Sequence, residues 1–259
     1  MQILHSQIVG QGQPLLILHG FLGMSDNWRT LGLKYAEQGF QVHLIDQRNH
    51  GHSFHSDDFN YTLLVDDLKK YAQYHQLEFF HLMGHSMGGK TAMLFATEYP
   101  QMVKSLVVVD IAPKYYPMHH QHILQGLASI DFDSITSRNE ADGQLAKFVP
   151  EAAVRQFLLK NLYWQTRERL AFRFNLEALT ENEGEIGEAL AANKVFSGST
   201  LFLRGEYSEY VLQDDEALIK VHFPKAIIDT VTRAGHWVHA QNPTDFFSKT
   251  IQFMQENTQ

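Results

Sequence analysis

The chain has 259 residues, 44% of them apolar, and a formal charge of −8 distributed along its length. Such a chain suits one globular domain, or a domain carrying an insertion. It contains no cysteine, which excludes thiolate catalysis, iron–sulfur clusters, cysteine-type zinc sites and disulfides. It also lacks a basic block, so nucleic acid is not an expected partner.

In chain order, the first twenty residues, "MQILHSQIVGQGQPLLILHG", carry neither a charged leader nor a small-residue cleavage site. No apolar run reaches the ~18 residues of a membrane span. A cytoplasmic protein without a membrane span is the expectation. Short apolar runs then recur: "PLLILHG" (14–20), "QVHLID" (41–46), "FFHLMG" (79–84), "SLVVVD" (105–110), "TLFLRG" (200–205) and "AIIDTV" (226–231). Runs that are apolar on both faces predict buried parallel strands. Between them the spacing predicts helices. Over 61–72, Tyr61, Leu64, Val65, Leu68, Tyr71 and Ala72 share one side while Asp66, Asp67, Lys69 and Lys70 take the other.

This alternation predicts an α/β fold with a mostly parallel sheet and flanking helices, with functional residues just after the strands. The rhythm breaks over 113–193, where no strand-like run is evident. One helix is predicted from Pro150, burying Val154, Phe157, Leu158, Asn161 and Leu162. So long a stretch without structure would be unusual in a compact domain. We expect a helical cap at 113–193, inserted after the sixth strand, between core segments 1–112 and 194–259.

Residues 84–88, "GHSMG", match G-x-S-x-G, a strand-to-helix turn that exposes a nucleophilic serine. The pattern alone is weak, but here it follows "LEFFHLM" and opens "MGGKTAMLFATEY", as the mechanism requires. Glycines at 84 and 88 would make room for Ser86 in a strained conformation; the plainer reading is a helix-capping serine. A serine hydroxyl needs a base, and among 15 histidines His236 follows the last strand-like run and precedes the helix near Pro243. His239 is the reserve. For the acid, the stretch after "TLFLRG" reads "EYSEYV", with Ser208 where an aspartate is usual. Asp110, at the end of "SLVVVD", completes the order Ser86, Asp110, His236; Glu206 and Glu209 stand in if Asp110 only caps the insertion. "HGFLG" (19–23) offers an oxyanion turn, nominating the N–H groups of Phe21 and Met87.

These stretches, with "DQRNHGHS" (46–53), "VVVDIAP" (107–113), "RGEYSEY" (204–210) and "GHWVH" (235–239), resemble the α/β-hydrolase serine esterases across essentially the whole chain, and in particular the bacterial YbfF-like group. The loop at 46–53 has Asn49 where glycine is common, as in that group. The resemblance implies Asp110 as the acid, no cofactor or metal, and a small acyl ester or acyl-CoA thioester as substrate. The site motifs do not choose among esterase, thioesterase, carbon–carbon hydrolase, lactonase and perhydrolase chemistry, or a homologue that binds without turnover.

Weaker features have plainer readings. "HHQH" (119–122) is read as surface histidines and not a metal site. Asp46, Arg48, His50 and His52 hold a loop beside the site. Arg155, Arg167, Arg169 and Arg173 form a solvated face, although a coenzyme A phosphate or an acyl carboxylate is the alternative ligand. Of the aromatic and methionine side chains in or near the insertion (Tyr115, Tyr116, Met118, Phe148, Phe157, Trp164, Trp237), Tyr116 and Trp237 are expected to bind substrate.

Overall fold

The computed structural model describes residues 2–118 and 120–257. The first part of the chain runs β1 (Ser6–Val9), β2 (Gln13–Leu18), α1 (Arg29–Ala36), β3 (Phe40–Ile45), α2 (Tyr61–Tyr74), β4 (Phe80–His85), α3 (Met87–Glu98) and β5 (Val103–Val109). The segment after β5 contributes α4 (Gln121–Ala128), α5 (Arg138–Leu145), α6 (Ala152–Leu159), strands β6 (Leu162–Trp164) and β7 (Leu170–Phe172), α7 (Leu176–Glu181) and α8 (Glu183–Ile186). The last part runs β8 (Thr200–Gly205), α9 (Asp215–His222), β9 (Ala226–Val231), α10 (Val238–Gln241) and α11 (Pro243–Glu256).

Seven strands form one sheet in the order β1-β3-β2-β4-β5-β8-β9. Only β1 is antiparallel to its neighbour; the remaining pairs are parallel. Both faces are covered, which explains why the strands read as unbroken apolar runs. Along β2, Leu16 and Leu18 join one core with residues of α2 and α3, while Leu15 and Ile17 join the other with residues of α1 and α11. Helix α2 is started by Asn60, whose side chain accepts from the Leu63 N–H. No helix among the described residues is long and apolar enough to cross a membrane.

Two expectations need correction. The insertion leaves the fifth strand of this chain and not the sixth, because a single antiparallel strand precedes the parallel series. It is also not wholly helical: β6 and β7 form an antiparallel hairpin, Leu162 opposite Phe172. Strands of three residues are too short to show a period-2 pattern. The helix expected from Pro150 starts at Ala152. Leu158 and Leu162 are buried as expected, and buried Asn161 lies past the helix end.

Side chains of the insertion form a third apolar cluster, with Leu124, Leu127, Leu145, Leu158, Leu162, Leu170 and Leu179 at its centre. Phe21, Leu22 and Met87 belong to the same cluster. The insertion is thereby packed onto the turns that follow β2 and β4.

Candidate active site

Ser86 sits between β4 and α3 with φ 53° and ψ −118°, a conformation that a non-glycine residue adopts only when its surroundings enforce it. The glycines explain how it is enforced. A Cβ on Gly84 would lie 2.1 Å from the Gly88 carbonyl oxygen, and one on Gly88 would lie 2.5 Å from that of His19 and 2.6 Å from that of Leu18. Side chains at either position would push the backbones apart. The turn lifts the Ser86 hydroxyl clear of its own strand.

That hydroxyl is 3.0 Å from His236 Nε2, and His236 Nδ1 is 2.7 Å from Asp110 Oδ2. A carboxylate can only accept, so Nδ1 carries the proton and Nε2 is left to accept from Ser86. Asp110 is wholly buried and has φ 51°. Its Oδ1 accepts from the Gly205 N–H (2.9 Å), and its Oδ2 accepts from Ser208 Oγ as well (2.5 Å). Ser208 is the residue found where an acid is usual. Asp110 lies one strand over, and Ser208 donates to its carboxylate from that usual position.

Glu206 and Glu209 are exposed, and Glu206 accepts from the Arg233 N–H instead. Among the described residues Ser86 Oγ is hydrogen-bonded to His236 and not to His239, whose ring stacks on Trp28 at 4.1 Å. The sequence pattern gives Ser208 no role and carries no signal for Tyr210. The Tyr210 ring lies 3.7 Å from that of His236, 16° from parallel, and its carbonyl oxygen accepts from the Tyr116 hydroxyl (2.5 Å). Tyr116 therefore supports the histidine's stacking partner. It is absent from the wall of the cavity that holds His236 and Trp237, and lines a small recess that also touches Ser86.

The turn after β2 is held by two neutral imidazoles. His19 Nε2 accepts from the Gln47 N–H (3.0 Å), so Nδ1 donates to the Gly20 carbonyl (2.8 Å). His50 Nε2 accepts from the Leu22 N–H (3.2 Å) and Nδ1 donates to the Arg48 carbonyl (2.9 Å). Burial lowers the pKa of His19, and it lowers that of His50 to about 3. Both rings thus keep one donor and one acceptor edge. Gly20 packs so closely that a Cβ there would lie 3.3 Å from Ser86 Cβ. Among the described residues, the N–H groups of Phe21 and Met87 donate to no protein acceptor, so two amides beside Ser86 are free to receive a ligand oxygen.

The loop after β3 supports this arrangement through several separate partners. Asp46 accepts from the N–H groups of Ser25 (2.6 Å) and His52 (2.9 Å), and Arg48 Nε donates to Asp67 of α2 (2.6 Å). Asn49 stands in the left-handed region at φ 63°. Its amide exchanges two hydrogen bonds with the backbone of Ser56, and its carbonyl accepts from the Asn175 N–H of the insertion. Asparagine tolerates this conformation better than most residues, and here its side chain adds bonds that glycine could not.

A cavity of about 250 Å³ opens beside Ser86. Trp237 lines it together with Phe21, Phe157 and Leu158; the rings of Phe157 and Trp237 are 5.7 Å apart. Tyr115, Met118, Phe148 and Trp164 are exposed. None of the four arginines reaches the cavity wall. Arg155 pairs with Asp142, Arg169 with Asp133, and Arg173 lies against His52 and the Tyr163 ring. His120 and His122 line the cavity, whereas His119 lies outside the described residues. Among the described residues no group of histidines and carboxylates could hold a metal.

Residues 13–134 match the family described as alpha/beta hydrolase fold. The chain is 38% identical over 259 aligned positions to "sn-1-specific diacylglycerol lipase ABHD11" of Danio rerio, covering 95% of this chain and 80% of that protein. A solved structure titled "Marine microorganism esterase" is 38% identical with a TM-score of 0.94, covering 98% of this chain and all of that one. "E-2-(Acetamidomethylene)succinate Hydrolase", 20% identical with a TM-score of 0.80 over 98% of both chains, shares the fold.

Proposed function

We propose, from the premise that this chain belongs to the α/β-hydrolase family and is a serine esterase, that Ser86, His236 and Asp110 hydrolyse esters of short acyl groups through an acyl-enzyme. The observation that carries the proposal is the unbroken hydrogen-bond relay from Ser86 Oγ through the imidazole to the Asp110 carboxylate, at the wall of a mostly apolar cavity.

In this reading His236 Nε2 takes the Ser86 proton as Oγ bonds to the ester carbonyl carbon. The carbonyl oxygen becomes an oxyanion and accepts from the N–H groups of Phe21 and Met87. Asp110 keeps the Nδ1–H tautomer and stabilises the imidazolium. Collapse of the tetrahedral intermediate breaks the bond to the leaving alcohol, which takes its proton from His236. Water then repeats the sequence and releases the acid.

The cavity's modest volume favours short acyl groups. Residues 113–193 act as the cap that shapes it, contributing Ile123, Val154, Phe157 and Leu158 to the wall. Thioesters offer the same carbonyl to the same groups, so acyl-CoA substrates fall within the proposal. Ser86→Ala should lower turnover of p-nitrophenyl butanoate by about 10⁴-fold or more and abolish labelling by a fluorophosphonate. Undiminished turnover in that variant would reject the assignment. Parallel assays with butanoyl-CoA measure how far the activity extends to thioesters.

A further inference from the structure

The cavity wall beside Ser86 is largely apolar, yet two polar groups on it lack protein partners. His239 is 7% exposed and lies flat on the Trp28 indole, the planes 10° from parallel. Its Nδ1 is enclosed without a hydrogen-bond partner. An enclosed N–H with no acceptor is more costly than an unfilled lone pair, so the proton rests on Nε2. That leaves the Nε2–H edge for the cavity that His239 lines.

Asn27, next to Trp28 in the chain, lines the same cavity. Its Oδ1 accepts from the Met24 N–H (2.8 Å), which fixes the amide and turns its NH₂ the other way. That NH₂ has no acceptor among the described residues. Burial holds the pKa of His239 down at about 3, with nearby His236 and Lys160 lowering it further, so its ring is neutral near pH 7. No lysine, arginine, aspartate or glutamate lines the cavity. The wall therefore offers the neutral donors of Asn27 and His239 and no lysine, arginine or carboxylate side chain, which complements an uncharged oxygen.

We propose that Asn27 and His239 form a polar subsite that selects esters bearing an additional uncharged oxygen acceptor, such as an ether, hydroxyl, ketone or second ester carbonyl. The inference rests on the esterase reading above and specifies its substrate class. The extra oxygen can enter on the acyl or the alcohol side, and paired isosteres distinguish the two. On the acyl side, p-nitrophenyl hexanoate is compared with p-nitrophenyl 4-methoxybutanoate. On the alcohol side, pentyl butanoate is compared with 3-methoxypropyl butanoate.

Against a purely apolar wall, replacing a methylene by oxygen should lower kcat/KM by about tenfold, from lost burial and an unpaired acceptor. The subsite predicts that in one of the two series the oxygen isostere is hydrolysed at least as fast as its hydrocarbon partner. In His239→Phe that ratio should fall by about tenfold. Asn27→Asp keeps an oxygen for the Met24 N–H but removes the donors, and it should move the same ratio in the same direction, which protects the test against a folding defect in either variant. A tenfold handicap for the oxygen isostere in both series would overturn the subsite. So would a preference that neither variant changes. Wild-type protein that hydrolyses none of the four esters would overturn the esterase reading, and the subsite with it.

Discussion

At the edge of the sheet that bears the site, Leu22, Asn49, Ser86 and Asp110 all hold positive φ, between 51° and 63°. Among the described residues of the insertion, none does. The glycines divide less cleanly: Gly84 and Gly88 are pressed against backbone, and in the insertion a Cβ on Gly143 or Gly184 would meet nothing within 4 Å, although one on Gly187 would lie 2.0 Å from the Tyr116 carbonyl oxygen. The sheet edge holds strained backbone in place through close packing and buried hydrogen bonds. The insertion is unstrained secondary structure held by an apolar cluster. Each positive φ costs on the order of 1–3 kcal/mol, a cost tolerated where a side chain has to be aimed and avoided where an element only has to cover.

Substitutions at the sheet edge should therefore act on rate, and substitutions in the insertion on stability. The largest contrast after loss of Ser86 is expected at Asp110. Asp110→Asn should lower kcat by about 10⁴-fold through the wrong histidine tautomer, whereas Glu206→Gln, altering an exposed side chain, should stay near wild type; steady-state kinetics of the two variants in parallel would reverse the choice of acid if the losses were exchanged. Ser208→Ala removes one donor from the Asp110 carboxylate and should cost about 10- to 100-fold in kcat, as expected for a hydrogen bond to a charged group. The conservative Ser208→Thr should recover part of that loss if the hydroxyl itself orients the acid.

Acid should weaken the same edge. His50 and His239 are held at a pKa of about 3, mainly by burial, against about 6.5 in an unfolded chain. Between those values the unfolded state binds protons that the folded state does not, so stability falls as pH drops below about 6.5. Each of the two histidines adds up to about 1.4 kcal/mol per pH unit to the slope. Urea denaturation at pH 7 and pH 5 measures it, and a flat profile would mean that these rings do not stay neutral in the fold. The smallest effect belongs to the insertion: Gly143→Ala, inside α5 and facing open space, should stabilise by about 0.5–1 kcal/mol and leave kcat/KM unchanged, as read by thermal melting beside an esterase assay.

Much of this contrast is legible in the amino-acid order, but unevenly. The runs "PLLILHG" and "SLVVVD" announce parallel strands because both faces of the sheet are buried. "GHSMG" announces the elbow because only that turn needs glycine on both sides of a serine. The hairpin of β6 and β7 leaves no periodic trace, and composition points Tyr116 at substrate although its hydroxyl is spent on Tyr210. Ser208 reads as a missing acid, yet in the fold it stands 2.5 Å from Asp110.

By itself, then, the sequence determined the alternation of strands and helices, the strained serine and the histidine after the last strand, because periodicity and turn chemistry act over a few neighbouring residues. Only the tertiary structure decided which carboxylate meets His236, which hydroxyl orients it, and which donors remain unpaired on the cavity wall. The first two of those relations join residues 126 and 98 positions apart, and such distances are closed by the packing of the sheet and its covering layers, which no local pattern encodes.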